Sequence, residues 1–181
     1  SQKLRDEMYR KPDSAIRRWL KPPYSIDGWR LDVANMTGNY WQYQLGSEVW
    51  REMRQAIKDE NPDAYMMGEY FQDSSPNLQG DELDATMNYQ GFNTPVRRWI
   101  GRGDLGVEED KDWGDPNPFP TESLALQWRQ YMAAIPYVIA LQQFNQIGSH
   151  DISRPLWVTE GDKALVRAGT ALLIGFPGAP C

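Results

Sequence analysis

Two charged residues, Arg30 and Asp32, lie inside a short and otherwise apolar segment, residues 26–34. The segment predicts a strand, in which alternate side chains share a face, so Arg30 and Asp32 lie on one face and Leu31 and Val33 on the other. A carboxylate that leaves water needs a partner, and an arginine on the same face supplies charge-assisted hydrogen bonds that keep Asp32 ionised. The pattern predicts either a structural ion pair or a carboxylate nucleophile held by its arginine.

Two further acidic positions follow other predicted strands. Glu69 lies at the end of one, and His150 with Asp151 directly follows another. Strands alternate with helices along the chain, which predicts βαβ units and a parallel sheet, either a barrel or a doubly wound sheet. Functional residues of both architectures collect at the carboxyl ends of the strands, so we expect Asp32, Glu69 and Asp151 to lie on one rim.

The elements that must position these residues follow from apolar spacing and from Gly and Pro breaks. Predicted strands cover residues 26–34, 64–70, 84–89 and 144–149. Predicted helices cover residues 15–20 with Ser14 as N-cap, 47–60, 94–100, 121–135 with Thr121 as cap and a restart at Pro136, and 159–174. Predicted loops cover residues 35–46 and 101–120, the second being a solvated excursion with an acidic run at 108–110.

Composition limits the class of protein. The 181 residues are 40% hydrophobic and 24% charged, which is enough apolar material for a sizeable core. The net charge of −6, with no basic run longer than two residues, makes nucleic acid a poor partner. The single cysteine, Cys181, allows no internal disulfide, and no signal peptide or membrane-spanning run is found, so we expect no membrane contact and a cytoplasmic location.

The carboxylates permit one specific chemistry. Two carboxyl groups about 5 Å apart act as nucleophile and general acid/base in retaining glycoside hydrolysis. Asp32 suits the nucleophile because Arg30 keeps it ionised. Glu69 suits the acid, because Tyr70 and Phe71 beside it would exclude water and favour its protonated form.

The third acidic position has two interpretations. Asp151 can offset positive charge at the anomeric carbon of a sugar while His150 binds a ring hydroxyl. Alternatively, Asp32, Glu69 and Asp151 are ligands for Mg²⁺ or a similar hard cation. Arg30 disfavours the metal, because a permanent cation beside a ligand opposes metal binding.

Three short blocks in this order resemble the alpha-amylase superfamily of glycoside hydrolases. GWRLD at 28–32 resembles the fourth barrel strand with its arginine and nucleophile. GE at 68–69 resembles the fifth strand with its acid/base. SHD at 149–151 resembles the seventh strand with its histidine and stabilising aspartate. DVAN at 32–35 is similar to the neopullulanase and cyclomaltodextrinase branch. MNYQGF at 87–92, FNQ at 144–146 and FPGAPC at 176–181 look more like maltodextrin glucosidase.

The resemblance implies a (β/α)8 barrel, of which residues 1–181 hold about strands four to seven and the start of the eighth, so that the sheet does not close. It implies hydrolysis of α-1,4 links in maltodextrins or related α-glucans with retention, and no cofactor or catalytic metal. The implied catalytic residues are Asp32, Glu69 and Asp151, and the implied substrate-binding residues are Arg30, Asn35, Tyr70 and His150. A barrel that only binds sugar or protein, or an inert partial barrel, is the rival. Nothing in the sequence indicates an oligomeric state.

Overall fold

A computed structural model describes residues 1–101 and 118–181 of the chain. Its centre is a five-stranded sheet in the order β1-β4-β5-β6-β7, in which every neighbouring pair is parallel. The strands are β1 (Gly28–Leu31), β4 (Tyr65–Tyr70), β5 (Ala85–Asn88), β6 (Phe144–Asn145) and β7 (Ala179–Pro180), and β2 (Asn39–Tyr40) and β3 (Tyr43–Gln44) form a separate hairpin. This open parallel sheet with helices confirms the partial α/β barrel.

The α-helices precede or connect the strands, and several of them pack on one face of the sheet. They are α1 (Gln2–Arg5), α2 (Ala15–Leu20), α3 (Gly46–Glu60), α4 (Thr94–Ile100), α5 (Thr121–Ala134), α6 (Tyr137–Ala140), α7 (Pro155–Val158) and α8 (Lys163–Gly175). Two π-helical turns, Asp6–Arg10 and Tyr89–Asn93, precede α2 and α4. Among the described residues no helix is both long and apolar enough to cross a bilayer.

The two faces of the sheet have different surroundings. On the helix side, Trp29 and Leu31 of β1 pack against a core that includes Trp50 and Ile57 of α3. Alternation along the strands turns the next residues to the other face. That face carries a smaller cluster with Met67, Met87 and Tyr89, and Arg30 and Glu69 belong to it by the same alternation.

The first strand is shorter than residues 26–34. It ends at Leu31, because Val33 takes a left-handed conformation with φ of 45° and starts the 3₁₀-helix Ala34–Met36. Asp32 therefore lies in the turn after the strand. The predicted loop at 35–46 contains this 3₁₀-helix and the hairpin of β2 and β3.

The fourth predicted strand, residues 144–149, is also too long, since β6 contains two residues. Buried amide side chains take over the role of ladder hydrogen bonds beside it. The Gln143 Oε1 atom accepts from the Thr86 amide at 3.1 Å, and the Asn145 Nδ2 atom donates to the Pro177 carbonyl oxygen at 3.0 Å. The segment that the resemblance assigns to the start of the eighth strand is β7, in which Ala179 and Pro180 pair with β6.

Most other boundaries agree with the pattern. The structure confirms helices at 47–60, 94–100 and 121–135 and a restart after Pro136. The Ser14 side chain makes no capping hydrogen bond. The helix predicted at 159–174 is α8, which begins later, at Lys163, where Asp162 caps it by accepting from Ala164 N at 2.7 Å. The loop predicted at 101–120, with its acidic run, lies largely outside the described residues.

Candidate active site

Asp32 lies at the carboxyl end of β1, where the turn at Val33 leaves it in solvent. Its side chain is 73% exposed, against the sequence expectation of a carboxylate that leaves water. The predicted partner is nevertheless present, because the Arg30 Nη1 atom donates to the Asp32 Oδ1 atom. β1 is an edge strand of the described sheet and ends one residue earlier, so no described strand covers Asp32.

Glu69 lies near the end of β4 and its side chain is only 8% exposed. The Val33 amide donates to its Oε2 atom at 2.8 Å. The Arg30 Nη2 atom lies 2.9 Å from its Oε1 atom and forms an ion pair with it. The expected burial is therefore present, but a cation also touches this carboxyl group.

Arg30 thus contacts both carboxyl groups with one guanidinium. Asp32 meets one terminal nitrogen and Glu69 meets the other, so their contacting oxygens are within about 7 Å of one another by ordinary guanidinium and hydrogen-bond dimensions. The two carboxyl groups differ strongly in exposure. One arginine therefore links an open carboxylate to an enclosed one.

Gly68 allows the turn after β1 to approach β4. A Cβ atom on Gly68 would lie 3.0 Å from the Ala34 Cβ atom and 2.9 Å from the Leu83 Cδ1 atom, closer than packed carbons tolerate. The missing side chain lets Ala34, which is 1% exposed, lie against the strand. That approach brings the Val33 amide to Glu69.

His150 and Asp151 lie in a turn beyond β6. The His150 ring is 73% exposed, and its Nε2 atom is 3.2 Å from the Asp151 Oδ2 atom. The Asp151 amide donates to the Ser149 Oγ atom at 3.2 Å, and the Arg154 side chain donates to the Ser149 carbonyl oxygen at 3.3 Å. The turn is fixed by Ser149, while both predicted functional side chains remain accessible.

Tyr89 connects the two parts of this rim, and the sequence reasoning assigned it no role. Its hydroxyl donates to the Ser149 Oγ atom at 2.8 Å, and its ring stacks on Phe71 with centroids 4.0 Å apart. Burial raises the pKa of Tyr89, and the charges of Asp151 and Glu69 raise it further. The charges of Asp151 and Glu69 therefore both act on the Tyr89 hydroxyl. Its position two residues after Met87, on the same face, is the signal that could have identified it.

The remaining predicted binding residues are Asn35 and Tyr70. Asn35 lies in the 3₁₀-helix, where its carbonyl oxygen accepts from the Asn39 side chain at 3.3 Å. Tyr70 packs against the core on the helix side, and burial raises its pKa. Because neighbouring residues in a strand face opposite ways, Tyr70 is directed away from Glu69, whereas Phe71 reaches Tyr89.

The metal interpretation gains no geometric support. In residues 1–101 and 118–181, no three His, Cys, Asp or Glu side chains are grouped closely enough to hold a metal ion. Asp32, Glu69 and Asp151 therefore do not form a set of ligands for one ion here. The pairing of Asp32 and Glu69 with Arg30 is the arrangement the structure has instead.

Comparisons with known proteins identify the family of this chain. The sequence profile of the alpha-amylase catalytic domain matches residues 1–181. A cyclomaltodextrinase of Geobacillus thermopakistaniensis is 33% identical over 163 residues, which are 90% of this chain and 24% of that protein. The crystal structure of a debranching enzyme from Nostoc punctiforme superposes with a TM-score of 0.76 at 34% identity, over 91% of this chain and 32% of that one.

A cyclic α-maltosyl-(1→6)-maltose hydrolase from Arthrobacter globiformis in its ligand-free form superposes with a TM-score of 0.72 at 30% identity, over 91% of this chain and 32% of that one. The chain thus spans about a quarter of the length of the curated relative and about a third of the solved structures. The profile match over residues 1–181 leads to one conclusion. The chain belongs to the alpha-amylase catalytic domain family.

Proposed function

We propose that the protein carrying this chain is a retaining glycoside hydrolase that cleaves α-1,4 bonds of short maltodextrins or related α-glucans. The proposal treats residues 1–181 as part of one catalytic barrel domain. The observation that carries it is the contact of one guanidinium, Arg30, with an exposed carboxylate and an enclosed one. Retaining hydrolysis needs two such carboxyl groups in different surroundings.

The first half of the reaction forms a glycosyl ester. An Asp32 carboxylate oxygen attacks the anomeric carbon while Glu69 gives its proton to the glycosidic oxygen, and the bond between that carbon and that oxygen breaks. The shortened glucan leaves as an alcohol, and the sugar stays bound to Asp32. The step requires Glu69 to exchange its contact with Arg30 for one with the glycosidic oxygen when substrate binds.

The second half releases the sugar. Glu69, now a carboxylate, takes a proton from water, whose oxygen attacks the anomeric carbon and displaces Asp32. Two inversions at one carbon give overall retention. We propose that Asp151 offsets the positive charge on the sugar in both transition states and that His150 binds a ring hydroxyl. In this proposal Arg30 and Asn35 are contacts near the cleaved bond, and Phe71 replaces Tyr70 as the aromatic side chain on this face.

The test is to trap the ester. The Glu69→Gln variant cannot protonate a sugar leaving group, so its turnover of maltotriose should fall by about 10²–10⁴-fold. Maltosyl fluoride needs no acid to leave, so the same variant should accumulate a maltosyl adduct that peptide mass spectrometry finds on Asp32. The Asp32→Asn variant should form no adduct and keep the unfolding midpoint of the parent.

Asp81→Asn is the matched control, because Asp81 is an exposed carboxylate, 51% accessible, that pairs with Arg51 away from the sheet rim. It should keep the parent turnover. An adduct on another residue, or turnover retained by Asp32→Asn, would refute the assignment. Loss of turnover on treatment with EDTA, without loss of structure, would favour the metal interpretation. The proposal includes a cytoplasmic location, consistent with a single cysteine, which cell fractionation would test.

A further inference from the structure

The hairpin of β2 and β3 exposes three aromatic rings within four residues. Tyr40 is 72% exposed, Trp41 76% and Tyr43 59%. Tyr40 and Trp41 meet edge to face with centroids 6.3 Å apart. In the described part of the chain no other four-residue stretch exposes three aromatic side chains. Exposed aromatic side chains grouped in this way are a feature of ligand-binding and interaction sites.

The backbone of Trp41 is a second sign of function. Its φ of 52° lies in the left-handed region, in a two-residue turn that normally favours Asn or Gly. A side chain with a Cβ atom pays about 1 kcal/mol there. The exposed ring recovers little of this by packing, so stability does not explain why a tryptophan occupies the turn.

Hydrogen bonds hold the hairpin in place. The Asn39 side chain donates to the Asn35 carbonyl oxygen at 3.3 Å and accepts from the Gly46 amide at 2.9 Å. The Gln44 side chain donates to the Trp41 carbonyl oxygen at 2.9 Å. The rings are therefore presented on an anchored element, which lowers the entropy lost when a ligand binds.

The hairpin is continuous with the candidate site. It begins seven residues after Asp32 in the sequence, and the 3₁₀-helix Ala34–Met36 shortens that connection below the extended limit of about 24 Å. The same connection contains Val33, whose amide binds Glu69. The hairpin therefore follows directly on the turn that contacts Glu69.

The charge of this segment indicates the kind of ligand. Residues 33–47 contain no Asp, Glu, Lys or Arg, although 24% of the chain is charged. An uncharged surface offers no ion pair to phosphates or to acidic peptides. It suits a neutral ligand with apolar faces and hydroxyl edges, which describes the pyranose rings of a glucan.

We propose that Tyr40, Trp41 and Tyr43 bind sugar rings of an α-glucan beyond the two sugars that flank the cleaved bond. This inference rests on the proposed function, because it extends the same substrate site. Each ring stacks on the C–H face of a sugar. The hairpin therefore makes the protein prefer longer glucans to maltose.

The test compares two ligands on a background that does not hydrolyse them. Calorimetry on the Asp32→Asn protein measures the affinity for maltoheptaose and for maltose. The added Trp41→Gly change removes the ring and relieves the left-handed backbone, so the ratio of the two affinities should fall about tenfold while the unfolding midpoint stays equal or rises.

Two variants provide controls. Trp41→Phe keeps a ring and should keep the ratio within about threefold. Trp19→Ala removes a tryptophan that is 42% exposed and precedes the amino end of β1, and it should leave the ratio unchanged.

An unchanged ratio in Trp41→Gly would overturn the proposal, whether or not the oligomeric mass changes. A lowered unfolding midpoint with an unchanged ratio would show that the ring packs against another part of the polypeptide. The proposed hydrolysis and the proposed glucan binding by the hairpin can be refuted independently of each other. If the parent hydrolyses no glucan but Trp41→Gly still lowers the ratio, the hairpin is a glucan site and only the proposed chemistry is wrong.

Discussion

The guanidinium of Arg30 donates to Asp32 through one nitrogen and lies 2.9 Å from Glu69 through the other. Besides its contact with Arg30, the Glu69 carboxyl group accepts a hydrogen bond from the Val33 amide at 2.8 Å. Removing the cation would leave an enclosed carboxyl group with one hydrogen bond and a second carboxylate close by. Such an uncompensated buried charge is costly, so both the charge and the shape of the guanidinium matter.

We expect Arg30→Lys to separate charge from shape. An ammonium keeps the positive charge but cannot present two terminal nitrogens to two carboxyl groups at once. Turnover of maltotriose should therefore fall by about 10²-fold, because the carboxyl groups lose their common support. Steady-state kinetics measures the turnover, and urea denaturation of the same preparation measures the unfolding free energy.

Arg18→Lys is the matched control, because Arg18 is exposed and donates to the Asp13 carbonyl oxygen, at 3.3 Å, far from the strand ends. Its turnover should equal that of the parent, and its unfolding free energy should change by less than about 0.5 kcal/mol. Equal turnover in Arg30→Lys and the parent would mean that the shared guanidinium is not needed.

Contacts between residues that are close in the sequence were easier to predict than contacts between residues that are far apart in it. The contact between Arg30 and Asp32 was predictable, because side chains two apart in a strand share a face. The contact between Arg30 and Glu69 joins two different strands, and no pattern in one sequence specifies it. The end of β1 before Asp32 was also missed, because the chain turns at a left-handed Val33, a β-branched residue that carries no turn signal.

Among the elements, the 3₁₀-helix Ala34–Met36 controls the geometry of the rim. It packs on β4 over Gly68, and its preceding residue, Val33, supplies the amide that binds Glu69. A left-handed β-branched residue costs free energy, and this hydrogen bond is part of what compensates it. The turn, the glycine and the carboxyl group therefore depend on one another.

We expect Gly68→Ala to displace this turn. The new Cβ atom would lie 3.0 Å from the Ala34 Cβ atom. That atom is bonded directly to the backbone, so it cannot move aside unless the backbone moves as well. Overpacking of this kind should lower the unfolding free energy by about 1–3 kcal/mol and lower turnover as the Val33 amide leaves Glu69. Denaturation and maltotriose kinetics measure the two effects.

Two further variants test the cause. Gly68→Ala combined with Ala34→Gly removes the opposing Cβ atom, so it should recover part of both losses. Gly175→Ala, where an added Cβ atom meets nothing within 4 Å, should have no such loss. If the double variant is no better than Gly68→Ala alone, the contact with Ala34 is not the cause.

Long periodic elements are the ones that the sequence predicts well. The helices α3 and α5 agree with their apolar spacing, and β4 agrees with its buried run. The hairpin and the two-residue β6 were missed for opposite reasons. The hairpin has Trp41 where a turn signal such as Asn or Gly is expected, and beside β6 the side chains of Gln143 and Asn145 replace backbone pairing that a longer strand would have.

For the whole molecule, one carboxylate, Glu52 of α3, contacts three side chains of the N-terminal residues. Glu52 of α3 accepts from the Tyr9 hydroxyl at 2.8 Å and from the Arg10 Nη2 atom at 2.7 Å, and the Arg5 Nη1 atom lies 3.0 Å away. The hydrogen bond from Arg10 is the main cause that lowers the pKa of Glu52 to about 2. Burial, followed by the bond to Glu52, raises the pKa of Tyr9 to about 12.

These shifts predict how the stability of the fold depends on pH. The folded pKa of Glu52, about 2, lies below its ordinary value of 4.5, so between these values the unfolded chain binds more protons. The contribution of Glu52 is therefore complete above about pH 4.5 and is lost as the pH falls towards 2.

Urea denaturation of the parent and of Glu52→Gln should give a difference in unfolding free energy that is constant from about pH 5 to 8 and shrinks below that range. The difference cancels the other acid-titrating groups, which both proteins share. A difference that stays constant down to about pH 2.5 would show that the carboxylate charge of Glu52 does not hold the N-terminal residues on α3.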